Sequence, residues 1–213
     1  MVATLSLPYM AAAAVTGLGA LALLVAEWRD SRAAQAVIKP LASLGFVVAA
    51  LAQRASSSSY GRALLVAFAL CWLGDVLLIS RGRRGFRAGI LAFLLGHLAF
   101  VAAFLIYGVD TRAAGAALAV TLVAGTVVGR WLLPRVPLDL KPAVIAYVVV
   151  ISIMVAIALG TGRPPIALGA GAFYLSDLSV ARDRFVAPGF VNRAWGLPLY
   201  YGAQLVLAAT PGL

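Results

Sequence analysis

The sequence predicts an all-α membrane protein with eight transmembrane helices in two parallel four-helix repeats (4+4), both termini outside. Three observations support this prediction. Of the 213 residues, 63% are hydrophobic and only 11% are charged, whereas a soluble domain has about 25% charged residues. The charges are clustered, which leaves apolar runs of roughly the 20 residues that cross a bilayer. Two sequence landmarks also recur at one fixed separation along the chain.

The apolar segments follow one another with short linkers between them. The first has no Lys or Arg ahead of it, so we interpret it as a first span and not as a secretory signal. The runs are too long for strands and lack the alternation of a membrane barrel. We therefore expect one helical bundle over residues 1–213 without a soluble domain. The predicted spans are about 7–26, 37–53, 62–80, 88–107, 113–133, 142–160, 164–181 and 195–211.

The distribution of Lys and Arg over the loops predicts the orientation. Of the 17 such residues, thirteen lie around the first, third, fifth and seventh loops. The remaining four lie around the even loops and are Arg54, Arg62, Arg112 and Arg163. Cytoplasmic loops carry the excess of positive charge. The odd loops are therefore predicted to be cytoplasmic, and we expect the protein in a bacterial cytoplasmic membrane.

An internal repeat relates the two halves of the chain, about 1–109 and 110–213. Lys-Pro occurs at 39–40 and again at 141–142, which is a separation of 102. The aspartates Asp75 and Asp177 are separated by the same 102 positions. Because each half has an even number of spans, the halves share one orientation. This predicts a pseudo-two-fold axis along the membrane normal.

Asp75 and Asp177 are the strongest functional candidates. Each lies in an apolar span, roughly 8–9 Å inside its predicted cytoplasmic end at 1.5 Å per residue. An ionised aspartate in a membrane is costly, so such residues normally face a bundle interior and serve a function. If the two carboxyls approach one another, they would share a proton and supply one acid and one base. That pair suits acid–base chemistry that needs no metal. A structural salt bridge or inter-helix hydrogen bond is the alternative interpretation.

Several further side chains are candidates for binding a substrate. His97, the only histidine, lies within the fourth span, and Gln204 follows the corresponding place in the eighth. Lys39 and Lys141 lie at the start of their predicted spans, where they either reach the lipid headgroups or bind phosphate. Pocket-lining tyrosines are predicted as well, although membrane helices also carry tyrosines at their interfaces. They are Tyr147, Tyr174, Tyr200 and Tyr201.

Other classes of site are disfavoured. The net charge of +10 is explained by the cytoplasmic loops, so we expect no nucleic-acid partner. The single cysteine, Cys71, excludes an internal disulfide and a multi-cysteine metal site. The sequence has no phosphate-binding glycine loop, no HExxH and no GxSxG. We expect neither a metal nor another cofactor.

An ordered set of short motifs resembles the YhhN-like family of membrane lysoplasmalogenases. The motifs are KP at 39–40, LGD at 73–75, FRAG at 86–89, FLLGH at 93–97, GAFYLSD at 171–177, RF at 184–185 and YYGAQ at 200–204. The resemblance implies hydrolysis of the vinyl-ether bond of a lysoplasmalogen, releasing a fatty aldehyde and a glycerophospho-alcohol. It implies that Asp75 and Asp177 are catalytic and that His97 and Lys39 belong to the same site. It also implies a lysophospholipid as substrate and membrane lipid around the protein.

The chemistry of a vinyl ether fits two carboxyls. Protonation of its β-carbon gives an oxocarbenium ion, which water then attacks. A neutral carboxylic acid would deliver that proton, and a nearby carboxylate would stabilise the cation and activate the water, as two carboxyls do in glycosidases. The repeat leaves open which aspartate is the acid. The main alternative is a proton-coupled transporter of a lipid or small molecule, because repeats and membrane carboxylates also mark carriers. Against it, the repeats are small and no proline-interrupted span lies near the aspartates. An intramembrane aspartyl protease and a purely structural protein are further alternatives.

Overall fold

The computed structural model describes residues 5–80 and 82–212, and within them the secondary structure is helical throughout, without strands. The prediction of an all-α protein is confirmed. Short 3-10 turns occur before α3, twice within the α5–α6 connection and after α8. The helices are α1 (Leu7–Trp28), α2 (Arg32–Ala52), α3 (Ser59–Leu78), α4 (Arg83–Tyr107), α5 (Thr111–Leu132), α6 (Lys141–Gly160), α7 (Pro164–Phe185) and α8 (Phe190–Ala208).

Side-chain caps define the starts of three helices. Ser6 accepts a hydrogen bond from the Tyr9 amide, and Ser58 accepts one from the Gly61 amide. Asp110 accepts from two amides in the first turn of α5. Each oxygen satisfies amides that lack a partner within the helix. These polar residues therefore set the starts of α1, α3 and α5 just before their apolar runs.

Helix α2 begins earlier than the sequence predicted. The Lys39-Pro40 pair was expected at the start of the second span, but α2 starts at Arg32, and Pro40 lies inside it. Three of the eight α2 residues before Pro40 are alanines and three more are Arg, Gln or Lys, all of which favour helix. They outweigh the hydrogen bond that an interior proline removes. As a result Lys39 lies about two turns inside α2.

Six helices, α1 to α6, are long and apolar enough to cross a membrane. Several helices of this length and hydropathy are characteristic of an integral membrane protein. Many large apolar side chains lie on the outer faces of the helices, with Leu18 67% exposed and Val120 70% exposed. A soluble protein does not leave so much apolar surface in water. Helices α7 and α8 are not among the six; α7 contains both Asp177 and Asp183.

Helix neighbours in sequence pack in pairs: α1 with α2, α3 with α4, α5 with α6, and α7 with α8. Across the two halves, α1 and α2 both pack on α8, and α4 packs on α6. Aromatic side chains fill the centre, among them Phe46, Phe68, Phe100 and Phe173. Helix α5 packs mainly on α6 and stays largely exposed elsewhere. The centre of the bundle therefore lies between α2, α3, α4, α6, α7 and α8.

Candidate active site

Asp75 is buried on α3, only 2% exposed, with three polar partners. Lys39 Nζ lies 3.2 Å from Oδ1. Oδ2 accepts hydrogen bonds from Ser43 Oγ at 2.5 Å and from the Tyr200 hydroxyl at 2.7 Å. A buried charge is stable only when it is paired and hydrogen-bonded. Asp75 is therefore buried together with one cationic side chain and two hydroxyl donors.

Asp177 on α7 has different partners and is more open, with its side chain 17% exposed. The Tyr147 hydroxyl donates to Oδ2 at 2.7 Å. His97 Nε2 lies 3.3 Å from the same oxygen. Nε2 is buried and has no hydrogen-bond partner among the described residues, so this close approach is not a hydrogen bond.

The contacts of His97 determine which of its nitrogens carries a proton. Nδ1 lies 2.7 Å from the carbonyl oxygen of Phe93, which can only accept, so Nδ1 is the donor. A neutral imidazole then has no hydrogen on Nε2. In this tautomer the 3.3 Å approach of Nε2 to Asp177 Oδ2 brings two acceptor atoms together.

Asp75 and Asp177 line one cavity of about 520 Å³. Lys39, Tyr147 and Tyr200 line it beside them. His97 is not among the lining residues, so it lies behind Asp177, away from the cavity. Both carboxyls thus border a space that a small molecule can occupy, and each is flanked by a tyrosine hydroxyl.

One wall of the cavity is apolar and comes from α5 and α6. Its residues are Val128, Leu132, Val144, Val148 and Ile151. Tyr174 lines the same cavity, and its hydroxyl is buried without a hydrogen-bond partner in the described structure. The cavity therefore combines a polar floor with a long apolar side, which matches an amphiphile better than a fully polar ligand.

One part of the cavity is lined by residues from the ends of α1 and α7 and from the start of α8. Arg193 joins these helices, because its guanidinium lies 3.4 Å from Glu27 Oε2 and 3.2 Å from Asp183 Oδ2. Buried Asn192 donates to Asp183 Oδ1 at 3.1 Å. These residues and Arg184 place charge at the end of the bundle that carries the odd loops.

Three other candidates do not line this cavity. Lys141 is the first residue of α6 and does not line it. Gln204 is fully buried on α8, and neither atom of its amide group has a hydrogen-bond partner among the described residues. Tyr201 reaches the site indirectly, with its hydroxyl 3.2 Å from Ser43 Oγ.

Sequence reasoning did not find Ser43, Asp183 or Asn192. Ser43 follows Lys39 by four residues, which places both on one face of α2. That spacing was the available signal for Ser43. Asp183 and Asn192 meet only because α7 and α8 pack together, which no local pattern reveals.

Comparisons with known proteins agree with one another. A protein family described as the YhhN family matches residues 34–210. Proteins named lysoplasmalogenase from Mycobacterium bovis (strain ATCC BAA-935 / AF2122/97) and Mycobacterium tuberculosis (strain CDC 1551 / Oshkosh) are each 33% identical over 178 residues. Each alignment covers 79% of this chain and 67% of the relative. No solved structure matches the chain.

Proposed function

The chain belongs to the YhhN family, and on that basis we propose that it is a membrane hydrolase that cleaves the vinyl-ether bond of a lysoplasmalogen. The products are a fatty aldehyde and a glycerophospho-alcohol. The observation that carries the proposal is that both membrane aspartates line one cavity with an apolar wall. The names of the mycobacterial relatives supply the substrate class.

The proposed architecture has eight spans in two parallel four-helix repeats, with both termini outside and the cavity open to the cytoplasm. Two of the cross-contacts support the repeat, because α2–α8 and α4–α6 exchange under a two-fold operation, whereas α1–α8 has no counterpart of similar extent between α5 and α4. The exposed apolar side chains Leu168 on α7 and Val191 on α8 support spans seven and eight. The protein would lie in the bacterial cytoplasmic membrane, with the arginine-rich loops on the cytoplasmic side.

The unequal surroundings of the two aspartates support an assignment of roles. In this assignment Asp177, beside His97, acts as the acid, while Asp75, paired with Lys39, acts as the carboxylate. Asp177 delivers its proton to the β-carbon of the vinyl ether, and the ether-bearing carbon becomes an oxocarbenium ion. The Asp75 carboxylate stabilises this cation and accepts a proton from the attacking water.

The hemiacetal formed in this way then collapses. Its hydroxyl proton returns to Asp177, and the proton held by Asp75 goes to the leaving glycerol oxygen. The carbon–oxygen bond breaks, and both aspartates recover their starting states. The net reaction consumes one water and needs no cofactor. His97 does not touch the substrate in this scheme; it positions Asp177 and stores its proton.

The direct test is incubation of the purified protein with a lysoplasmalogen and measurement of free aldehyde. We expect aldehyde and glycerophospho-alcohol in equal amounts. The matching lysophospholipid with a saturated ether should release nothing, since it cannot be protonated to an oxocarbenium ion. Absence of aldehyde from well-folded protein would overturn the proposal.

The transporter alternative is tested in the same preparation. Prolines lie inside α2 and α8, but both helices run unbroken over Arg32–Ala52 and Phe190–Ala208. Discontinuous helices are the usual mark of secondary transporters. Proton-coupled flux in vesicles without aldehyde release would favour a transporter over the hydrolase.

A further inference from the structure

A second cavity, of about 340 Å³, lies beside the first at the arginine-rich end of the bundle. It lies at the start of α4, the α5–α6 connection and the end of α7. Four of its residues are arginines, and the others are apolar. The lining residues are Arg83, Phe86, Arg87, Arg135, Pro137, Leu140, Arg184 and Phe185.

The positive charge in this cavity exceeds the negative charge around it. Arg83 lies 2.7 Å from Asp139 Oδ2, and Arg87 bonds the same oxygen. Among residues 5–80 and 82–212, Arg135 donates only to the carbonyl of Trp131. Arg184 stacks on the Phe86 ring at 4.1 Å and makes no hydrogen bond or ion pair with the described residues. In this part of the chain, four guanidinium groups thus meet one carboxylate, and two of them have no acidic partner.

The two cavities share Phe86, Arg184 and Phe185 as walls. The Phe86 and Phe185 rings lie 6.1 Å apart, edge to face. Arg184 follows Asp177 by seven residues on α7, a rise of about 10 Å. An arginine side chain and a glycerol unit together bridge such a distance. A ligand that has its reactive bond at Asp177 therefore places the next polar group near Arg184.

We propose that this second cavity binds the phosphate group of a glycerophospholipid, held by Arg135 and Arg184. Guanidinium groups bind phosphate through paired charge-assisted hydrogen bonds. Arg83 and Arg87 remain bound to Asp139 and add long-range attraction. The phosphate belongs to the single-chain lipid whose chain lies in the larger cavity; this part rests on the proposed function. A bilayer phospholipid offers the same chemistry, and the experiment separates the two sources.

The test measures binding, so it does not depend on turnover. The protein is placed in nanodiscs of phosphatidylcholine, and two probes with the same saturated ether chain are titrated. One is a lysophosphatidylethanolamine and the other is the alkylglycerol without phosphate. The Arg135→Gln/Arg184→Gln variant should bind the phosphate probe about ten- to a hundredfold more weakly. Its affinity for the alkylglycerol should stay unchanged.

The matched control is Arg29→Gln/Arg130→Gln, which removes two positive charges from the same end without lining either cavity. Both probes should bind this variant as they bind the wild type. An equal loss of both probes in the first variant would overturn the phosphate site, and so would no loss of either probe when the wild type and the variant retain the same phospholipid. Melting temperatures of all variants separate loss of binding from loss of folding.

A second arm identifies the source of the phosphate. Protein extracted from native membranes is analysed by native mass spectrometry for retained phospholipid. If wild type retains phospholipid, the variant does not, and the two probes bind wild type equally, the site takes a bilayer lipid. If the two probes differ in affinity for the wild type but not for the variant, the site takes the headgroup of the single-chain ligand. Neither result requires aldehyde release, so the phosphate site is tested even if the hydrolase proposal fails.

Discussion

His97 on α4 lies 3.3 Å from Asp177 on α7, measured from Nε2 to Oδ2, while its Nδ1 donates to the Phe93 carbonyl. The contact therefore joins a residue of the first half of the chain to the aspartate of the second. Tyr200 on α8 makes the reciprocal contact with Asp75 on α3. Each aspartate thus depends on the other half for a partner, although the partners differ chemically.

The replacement His97→Gln should lower kcat about a hundredfold and leave KM nearly unchanged. Glutamine fills a similar space but cannot store the proton that the pair holds, and general acid catalysis contributes about 10²–10⁴-fold. Steady-state aldehyde release with a lysoplasmalogen gives both constants. A rise in KM at constant kcat would show that His97 shapes the cavity and does not act through Asp177.

Asp75→Asn and Asp177→Asn should each lower aldehyde release at least about a hundredfold. In Asp177→Asn the amide oxygen still accepts from Tyr147, so the protein should fold normally while it lacks an acid. The control is Asp110→Asn, because an asparagine at this N-cap continues to accept from the amides of α5. Turnover close to that of the wild type in both site variants would contradict the two-aspartate mechanism.

The same two replacements should differ in stability. Asp75→Asn leaves the Lys39 ammonium without its carboxylate, and Lys39 is only 17% exposed. Breaking such a pair from one side should lower the free energy of unfolding by up to about 3 kcal/mol. Adding Lys39→Met should restore the melting temperature without restoring activity. If Asp75→Asn melts like Asp177→Asn, the Lys39–Asp75 pair does not stabilise the fold.

The sequence predicted the helices well because long apolar runs in a membrane protein have one stable conformation. It failed at the start of α2, where a proline was expected to begin the helix and instead lies inside it. The repeat also suggested like roles for Lys39 and Lys141. Lys39 lies within α2 and reaches Asp75, whereas Lys141 is the first residue of α6 and does not line the cavity. Two residues separated by the repeat length of 102 can therefore lie at different positions in their helices.

For the site, the sequence identified the two aspartates because charge in an apolar run is conspicuous. Their partners were harder to assign. Ser43 and Tyr200 meet at Asp75 from α2 and α8, which are distant in sequence. That meeting depends on the packing of α2 on α8, and no motif contains it. The chemical difference between the aspartates came only from these contacts.

Gly196→Ala should destabilise the protein, because a Cβ at this position would lie 1.8 Å from Ser179 Oγ and 2.7 Å from Ser179 Cβ. The Cβ contact cannot be relieved by rotating the serine, so α7 and α8 must move apart. Overpacking of this kind costs about 1–3 kcal/mol. Gly202→Ala on the same helix meets nothing within 4 Å and should not lower the melting temperature. Equal melting of the two variants would contradict the close approach of α7 and α8.

Val128→Trp should shorten the lipid chain that the protein accepts. Val128 projects from α5 into the apolar wall of the larger cavity, where an indole would fill space that we assign to the chain. We expect kcat/KM for a long-chain lysoplasmalogen to fall about tenfold or more, since each buried CH₂ contributes about 0.8 kcal/mol. A short-chain substrate should be cleaved as by the wild type. Val127→Trp is the matched control, because Val127 is 63% exposed on the outer face of α5 and does not line the cavity. An equal loss for long and short chains, or the same chain preference in both variants, would place the chain elsewhere in the protein.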